Sequence, residues 1–216
     1  MNFVKANLLS CLTLLAMTGM SLYLYTDLPD LIPSDFDIHG NARGTQPKLF
    51  FAFLMPAIYL GLIVIVNLLI SYSPQKFSMP NSKRAMQLIL FGVGALFLFV
   101  HTSLLLADGD FNFFTKYFSI GMALFLVISG NVFGKSERNF FLGIRTPWTI
   151  ASHANWSVTH RLAGRLMVIT GLILLLSSAF YSSMVITTVL SVATVLIPTF
   201  YSFIYFLRNE RNEELN

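Results

Sequence analysis

The chain of 216 residues is 55% hydrophobic and only 11% charged, with a mean hydropathy of +0.69. This composition excludes a soluble globular domain and predicts an integral membrane protein with room for about six spans of ~20 residues each. The formal net charge of +4 does not by itself indicate direct nucleic-acid binding, and the single cysteine, Cys11, cannot form an intramolecular disulfide.

The first apolar run, Leu8 to Tyr25, follows a short start that contains Lys5. It fits either a signal peptide or a first transmembrane helix, and the lack of a small-residue cleavage pattern behind it favours the helix. The next interval, Thr26 to Lys48, is acidic and contains several prolines and glycines. We therefore predict a polar loop with turns and a short extended piece.

Part of this loop has the spacing of calcium ligands, because Asp35, Asp37 and His39 alternate and Gln46 follows. A histidine at the third of these positions and a glutamine in place of the final carboxylate weaken that match. A hydrogen-bonded acidic loop facing solvent is the favoured interpretation, with calcium binding as the alternative.

The remaining apolar runs are separated by short polar connections and predict five more spans. They are Leu49–Ser71 with a kink at Pro56, Ala85–Ala107, about Tyr117–Phe133, and two within Leu166–Leu207. As one helix at ~1.5 Å per residue the last run would be about 63 Å long, twice a ~30 Å hydrocarbon core. It must fold back, and the serines and tyrosine at residues 177–183 are the natural turn, with Pro198 expected to bend the last span.

The resulting prediction is an all-α bundle of six transmembrane helices, with a two-span region at residues 1–84 and a four-span region at residues 85–216. Eleven of the 14 lysines and arginines fall on one side of this arrangement. Because cytoplasmic segments carry the excess of lysine and arginine, both termini are predicted inside and the acidic loop outside a bacterial plasma (inner) membrane. Anionic lipid headgroups are the default partners of the cytoplasmic charges.

The longest polar interval runs from Asn139 to Gly164 and contains both tryptophans. Thr146 has the character of an N-cap and Pro147 that of a first helical residue, so a helix is predicted from there towards Gly164. Its spacing is typical of an amphipathic helix lying at the inner membrane surface before the fifth span. His153 and His160 would lie about 10.5 Å apart along it, too far to share a metal ion.

This stretch is interpreted in two ways: as an interfacial elbow anchored by tryptophan and arginine, or as a recognition surface for an acidic protein segment or a phosphate-bearing ligand. The candidate binding residues share a position in or beside the predicted helix. They are Asn139, Gly143, Arg145, Thr146, Pro147, Trp148, Trp156, His160 and Arg161.

The sequence contains no nucleotide-binding glycine loop, paired-histidine zinc helix or serine or cysteine nucleophile motif. No catalytic residue, metal site or cofactor is therefore predicted. Within the predicted spans the notable polar residues are His101, Asn67 and Asn131. Ion-coupled carriers usually need buried charged groups in the bilayer, so this pattern disfavours a pump.

The order of residues from Asn131 to Lys135, then Gly143-Ile144-Arg145-Thr146-Pro147-Trp148-Thr149, and behind it Trp156, Thr159-His160-Arg161 and Gly164 closely resembles the signature of the SdpI family of multi-pass bacterial membrane proteins. The earlier Leu28-Pro29, Ile32-Pro33 and Asp35-Phe36-Asp37 with Lys48 and Pro56 resemble a small membrane domain that often precedes it. Asp35 departs from an expected histidine, and His153 from an expected acidic residue.

The resemblance implies an immunity and signalling role. Such a protein protects its cell from a secreted membrane-active peptide toxin and captures a cytoplasmic regulator at the membrane. The alternative, from a different class, is a small-molecule or lipid transporter or a membrane enzyme, which would need a polar cavity between spans.

Overall fold

A computed structural model describes residues 7–36, 42–72, 80–107, 110–139 and 142–209. These residues form helices and one β-hairpin. In chain order they are α1 (Leu8–Leu24), β1 (Leu31–Phe36), β2 (Ala42–Pro47), α2 (Lys48–Ser71), α3 (Pro80–Leu106), α4 (Phe111–Phe133), α5 (Pro147–Ala151), α6 (His153–Ser177) and α7 (Met184–Asn209).

Five of the described helices, α2, α3, α4, α6 and α7, are long and apolar enough to cross a bilayer. The class predicted from composition, a helical membrane protein, is thereby confirmed. Helix α1 is apolar but has 17 residues, about 26 Å at ~1.5 Å per residue and slightly less than a ~30 Å hydrocarbon core. Six spans and the position of the termini stay predictions.

Local signals explain where several helices begin and end. The long apolar run folds back as predicted, because α6 ends at Ser177 and α7 begins at Met184. Helix α4 begins earlier than predicted, at Phe111, since the Asp110 carboxylate accepts hydrogen bonds from the N–H groups of Asn112 and Phe113. An N-cap of this kind stabilises the first turn of α4, which a prediction from hydropathy alone does not include in the helix.

The interval predicted as a loop contains an antiparallel hairpin of β1 and β2, with register irregularities around Asp35. At its base the Lys48 ammonium donates a hydrogen bond to Asp30 Oδ1 at 2.9 Å, and this bond lowers the pKa of the Asp30 carboxyl. Ile32 of β1 joins a small core with Phe51 and Leu105, which places the hairpin over the adjoining ends of α2 and α3. For the calcium alternative, Asp37 and His39 lie outside the described residues.

The helices pack in two groups that meet at α3 and α4. In the first, Met17 of α1, Tyr59 of α2 and Leu90 of α3 share a buried cluster, and the Tyr59 hydroxyl donates to the Leu90 carbonyl at 3.1 Å. In the second, α4 and α6 share a cluster that includes Ala123 and Met167. Because α3 packs against both groups, the predicted division between residues 84 and 85 is not a gap in packing; as a domain boundary it stays a prediction.

His101 of α3 is buried between α1 and α2, with 1% of its surface exposed. Its Nε2 lies 2.8 Å from Ser21 Oγ, and Ser21 Oγ donates to the Ala52 carbonyl at 2.6 Å. Because a hydroxyl has one proton, Nε2–H is the donor to Ser21 when that proton goes to Ala52. These contacts link α1, α2 and α3 within their apolar segments. In a bilayer the hydrophobic effect contributes little to helix association, so such polar contacts matter there.

Candidate functional site

The helix predicted from Thr146 towards Gly164 is interrupted. Its start is confirmed, because Thr146 and Thr149 form a capping box and Pro147 is at the first turn. It ends at Ala151, however, since Ser152 is extended and its own side chain accepts from the Asn155 N–H to begin α6. The prediction of one interfacial helix before the fifth span is therefore wrong: α6 continues without a break from His153 to Ser177.

The described residues of 134–152 fold back onto the ends of α4, α6 and α7. We call these residues, together with the first part of α6 up to His160, the signature module. Its centre is an aromatic stack in which the rings of Trp156 and His160 lie 3.9 Å apart at 16°. The ring of Phe133, at the end of α4, lies 5.2 Å from that of His160. Trp156 is 3% exposed and His160 fully buried, so neither presents a binding surface.

The hydrogen bonds of His160 select one ring form. The Ile144 N–H donates to Nε2 at 2.9 Å, and Nδ1 lies 2.8 Å from the Trp156 carbonyl oxygen. A carbonyl can only accept, so the proton is on Nδ1 and the ring is neutral. The Trp156 indole N–H donates to the Ser136 carbonyl at 2.9 Å. The stack therefore fastens the loop on both sides of the undescribed residues 140–141 to α6.

Gly143 lies directly against this stack. Its φ of +132° is open to glycine and strained for other residues. A Cβ atom at this position would overlap His160 Nε2 and would lie 2.8 Å from Trp156 Cη2. Space as well as backbone conformation thus explains a glycine at this position, and no ligand is needed to account for it.

A second set of contacts holds the module to α7. The Trp148 indole N–H donates to Ser202 Oγ at 2.6 Å, and its ring lies 5.1 Å from that of Phe203. The Asn155 amide donates to the Ser202 carbonyl at 3.1 Å. Arg138 closes the end of α5 by donating to the Ile150 and Ala151 carbonyls at 2.7 and 3.0 Å.

The nine candidate residues therefore do not form one surface. Asn139, Trp156 and His160 are buried, and Gly143, Thr146 and Trp148 are half-buried. Arg145, Pro147 and Arg161 are exposed. The physical reason is that the ring nitrogens of Trp156 and His160 have their hydrogen-bond partners within the protein, in the Ser136 carbonyl, the Trp156 carbonyl and the Ile144 N–H.

Sequence reasoning missed Asn155, Ser202 and Arg138 as members of this arrangement. The available signal was a polar residue inside an apolar run: Ser202 in α7 needs a partner in the bilayer. In the part of the chain that the structure describes, no three histidine, cysteine, aspartate or glutamate side chains gather to hold a metal ion.

These features define a multi-pass helical membrane protein whose longest polar segment is folded onto one end of its helices. Residues 135–205 match the model of the SdpI/YfhL protein family, and residues 12–60 match that of a domain of unknown function, DUF1648. The chain is also 27% identical over 210 residues to the immunity protein SdpI of Bacillus subtilis (strain 168), covering 94% of this chain and 97% of that protein. No solved structure matches. The similarity to the SdpI family thus lies in the second half of the chain, and the DUF1648 segment lies before it.

Proposed function

We propose that this protein is a membrane immunity protein that counters a membrane-active peptide toxin arriving from outside. The observation that carries the proposal is the end-to-end match with a protein named for immunity: both the DUF1648 and the SdpI segments occur here in one chain, over 94% of its length. The sequence match extends over almost the whole chain and not to a motif alone. The proposed role is that of a binding protein rather than an enzyme.

The proposed topology has six spans, with α1 included, and cytoplasmic termini in the bacterial plasma (inner) membrane. The charge distribution supports it, because the segments joining α2 to α3 and α4 to α6 are basic while Asp27, Asp30 and Asp110 flank the opposite ends. The hairpin then faces outside, where a secreted toxin would be met, and the signature module faces inside.

The orientation is tested by cysteine labelling in a Cys11→Ser background. Thr45→Cys in β2 and Ala154→Cys in α6 are both at exposed positions, so access is limited by the membrane rather than by burial. We expect Thr45→Cys to react with an impermeant maleimide in intact cells, and Ala154→Cys only after permeabilisation. A reporter enzyme active only in the cytoplasm, fused before Met1, tests whether α1 spans. Labelling of Ala154→Cys from outside would reverse the proposed orientation.

A pocket of about 250 Å³ on the proposed outer side is a suitable toxin contact. It lies between the hairpin and the adjoining ends of α3 and α4. Asp27 and Asp110 supply carboxylates, while apolar walls include Leu28, Leu105 and Phe114. Two acidic groups beside apolar side chains complement a peptide that is both apolar and cationic.

Expression in a toxin-sensitive host is expected to raise survival against at least one of a panel of membrane-active peptides. Replacing Asp27 and Asp110 together by asparagine is expected to abolish most of that protection, since each lost charge weakens binding roughly tenfold. Asparagine is a good N-cap, so Asp110→Asn removes charge while keeping the start of α4.

The control is Asp30→Asn, which removes another exposed carboxylate outside the pocket, one that is paired with Lys48. Protection is compared at equal membrane abundance of all variants. Equal killing of expressing and empty cells across the panel would contradict the immunity role. Full protection by the double variant would contradict only the pocket.

The signalling half of the proposal, capture of a cytoplasmic regulator, requires a contact on the opposite face. Arg145 and Arg161 are the best-supported residues for this contact, because both are exposed. Arg145 lies within the signature module, and Arg161 is the residue that follows it in α6. Guanidinium groups recognise carboxylates of an acidic protein segment in a planar, bidentate manner. The buried Trp156 and His160 would act there only by holding the module in shape.

A further inference from the structure

A groove of about 480 Å³ lies beside the signature module, where the end of α4 meets the part of α6 from Arg161 to Ile169. Three glycines, Gly130, Gly134 and Gly164, line it. The two helices touch backbone to backbone at this point, since a Cβ on Gly130 would lie 2.7 Å from the Gly164 carbonyl oxygen. The missing side chains of these glycines thus allow the close helix contact that forms the floor of the groove.

Three basic residues, Lys135, Arg161 and Arg165, stand around this groove, and all three are exposed. Arg161 donates from Nε to the Ser157 carbonyl at 3.2 Å. None of the three forms an ion pair within the described part of the chain. Between residues 111 and 209 the sequence contains a single acidic residue, Glu137, and three more, Glu210, Glu213 and Glu214, follow α7. Within the described residues of α4 to α7 the positive charge of the groove therefore has little compensation.

The same groove continues along α6 as an apolar wall formed by Val168 and Ile169. Ile169 is 54% exposed and belongs to a helix able to span the bilayer. Asn131, at the end of α4, also lines the groove and donates its amide to the Val127 carbonyl at 2.8 Å. The charges thus lie at one end of the groove and the apolar wall at the other.

We propose that this groove is a binding site for one anionic phospholipid, whose phosphate contacts Arg161 and Arg165 and whose acyl chain lies on Val168 and Ile169. Guanidinium groups bind phosphate oxygens through paired hydrogen bonds. The apolar wall complements an acyl chain and offers nothing to free phosphate. Basic residues that merely anchor a helix would spread around its circumference, whereas here two cations of α6 and one from the turn after α4 line one groove.

The test is a lipid titration of the detergent-solubilised full chain, with bound lipids counted by native mass spectrometry. Phosphatidylglycerol is expected to fill a first site more tightly than phosphatidylcholine. Arg165→Gln is expected to weaken that site roughly fivefold, and Arg161→Gln with Arg165→Gln roughly thirtyfold, at about 1 kcal/mol per charge. Arg208→Gln, which removes an exposed arginine of α7 outside the groove, is expected to leave it unchanged.

Circular dichroism of each variant checks that the helices are intact, and the exposed single variant Arg165→Gln keeps the test valid if the double variant is unstable. Equal affinity for the two lipids, or an equal loss with Arg208→Gln, would show diffuse attraction and overturn the site. Full displacement of phosphatidylglycerol by inorganic phosphate would show a phosphate site without a role for the apolar wall, and would overturn the lipid assignment.

Discussion

Gly143→Ala is expected to destabilise the signature module by about 3 kcal/mol, a sum of backbone strain and steric overlap. The φ of +132° disfavours any side chain, and the new Cβ would overlap the His160 ring. That ring cannot move aside easily, because Ile144 and Trp156 hold its two nitrogens and the Trp156 ring stacks on it. The module, rather than the helix bundle, should be the part that opens.

Tryptophan fluorescence measures this loss directly. In a Trp148→Phe background the remaining emission comes from Trp156, which is 3% exposed in the folded module and should shift to the red on opening. Denaturant titration of that signal gives the stability of the module, while circular dichroism follows the helices. Gly61→Ala is the matched control, since a Cβ there has nothing within 4 Å.

A double variant tests the overlap with His160. Adding His160→Ala to Gly143→Ala removes the nearer ring but keeps the strained φ and the close approach to Trp156 Cη2, so the two changes should not be additive. A Gly143→Ala protein with unchanged Trp156 emission and unchanged stability would contradict the close approach of this glycine to the stack.

The sequence predicted those features that depend on local signals. The apolar lengths located the spans, and Thr146 with Pro147 located a helix start, because hydropathy and capping act within a few residues. The end of that helix was missed although Ser152 is itself a capping residue. A single serine inside an amphipathic pattern has no local mark that distinguishes a cap from an exposed helical position.

The burial of Trp156 and His160 could not be predicted in the same way. An amphipathic ring suits a membrane interface and a buried stack equally well. The loop before α5 decides between these two environments. It brings Ile144 and Gly143, which lie 16 and 17 residues before His160, into contact with the rings. The hairpin was missed for a similar reason, since strand pairing depends on partners that a composition rich in proline and glycine does not identify.

Gly164→Leu is expected to have a larger effect on the whole protein than Gly143→Ala. We expect the free energy of unfolding to fall by roughly 4 kcal/mol, or the second helix group, which contains α4 and α6, to fail to assemble. A Cβ on Gly164 would lie 2.7 Å from the Gly130 carbonyl oxygen and 3.0 Å from the Gly134 nitrogen. Both neighbours are backbone atoms, one in α4 and one in its C-cap residue, so no side-chain rotation can relieve the overlap. Gly164→Ala should show the same effect in smaller measure, because the first added carbon already meets these atoms.

Gly61→Leu in α2 is the control for adding a large side chain to a spanning helix, since its Cβ would enter open space. Stability is measured by unfolding in detergent with increasing dodecyl sulfate, followed by circular dichroism. If Gly164→Leu and Gly61→Leu unfold at the same point, the close crossing of α4 and α6 is contradicted.

The two glycine variants should also differ in which part of the protein is lost. Gly164 lies one turn beyond His160 on α6, and Phe133, which contacts the His160 ring, ends α4. Separating the two helices at Gly164 therefore removes both supports of the aromatic stack, and the Trp156 emission should shift together with the loss of helix packing. With Gly143→Ala the emission should shift while helix packing persists. That difference would establish that the signature module depends on the α4–α6 crossing and that the crossing does not depend on the module.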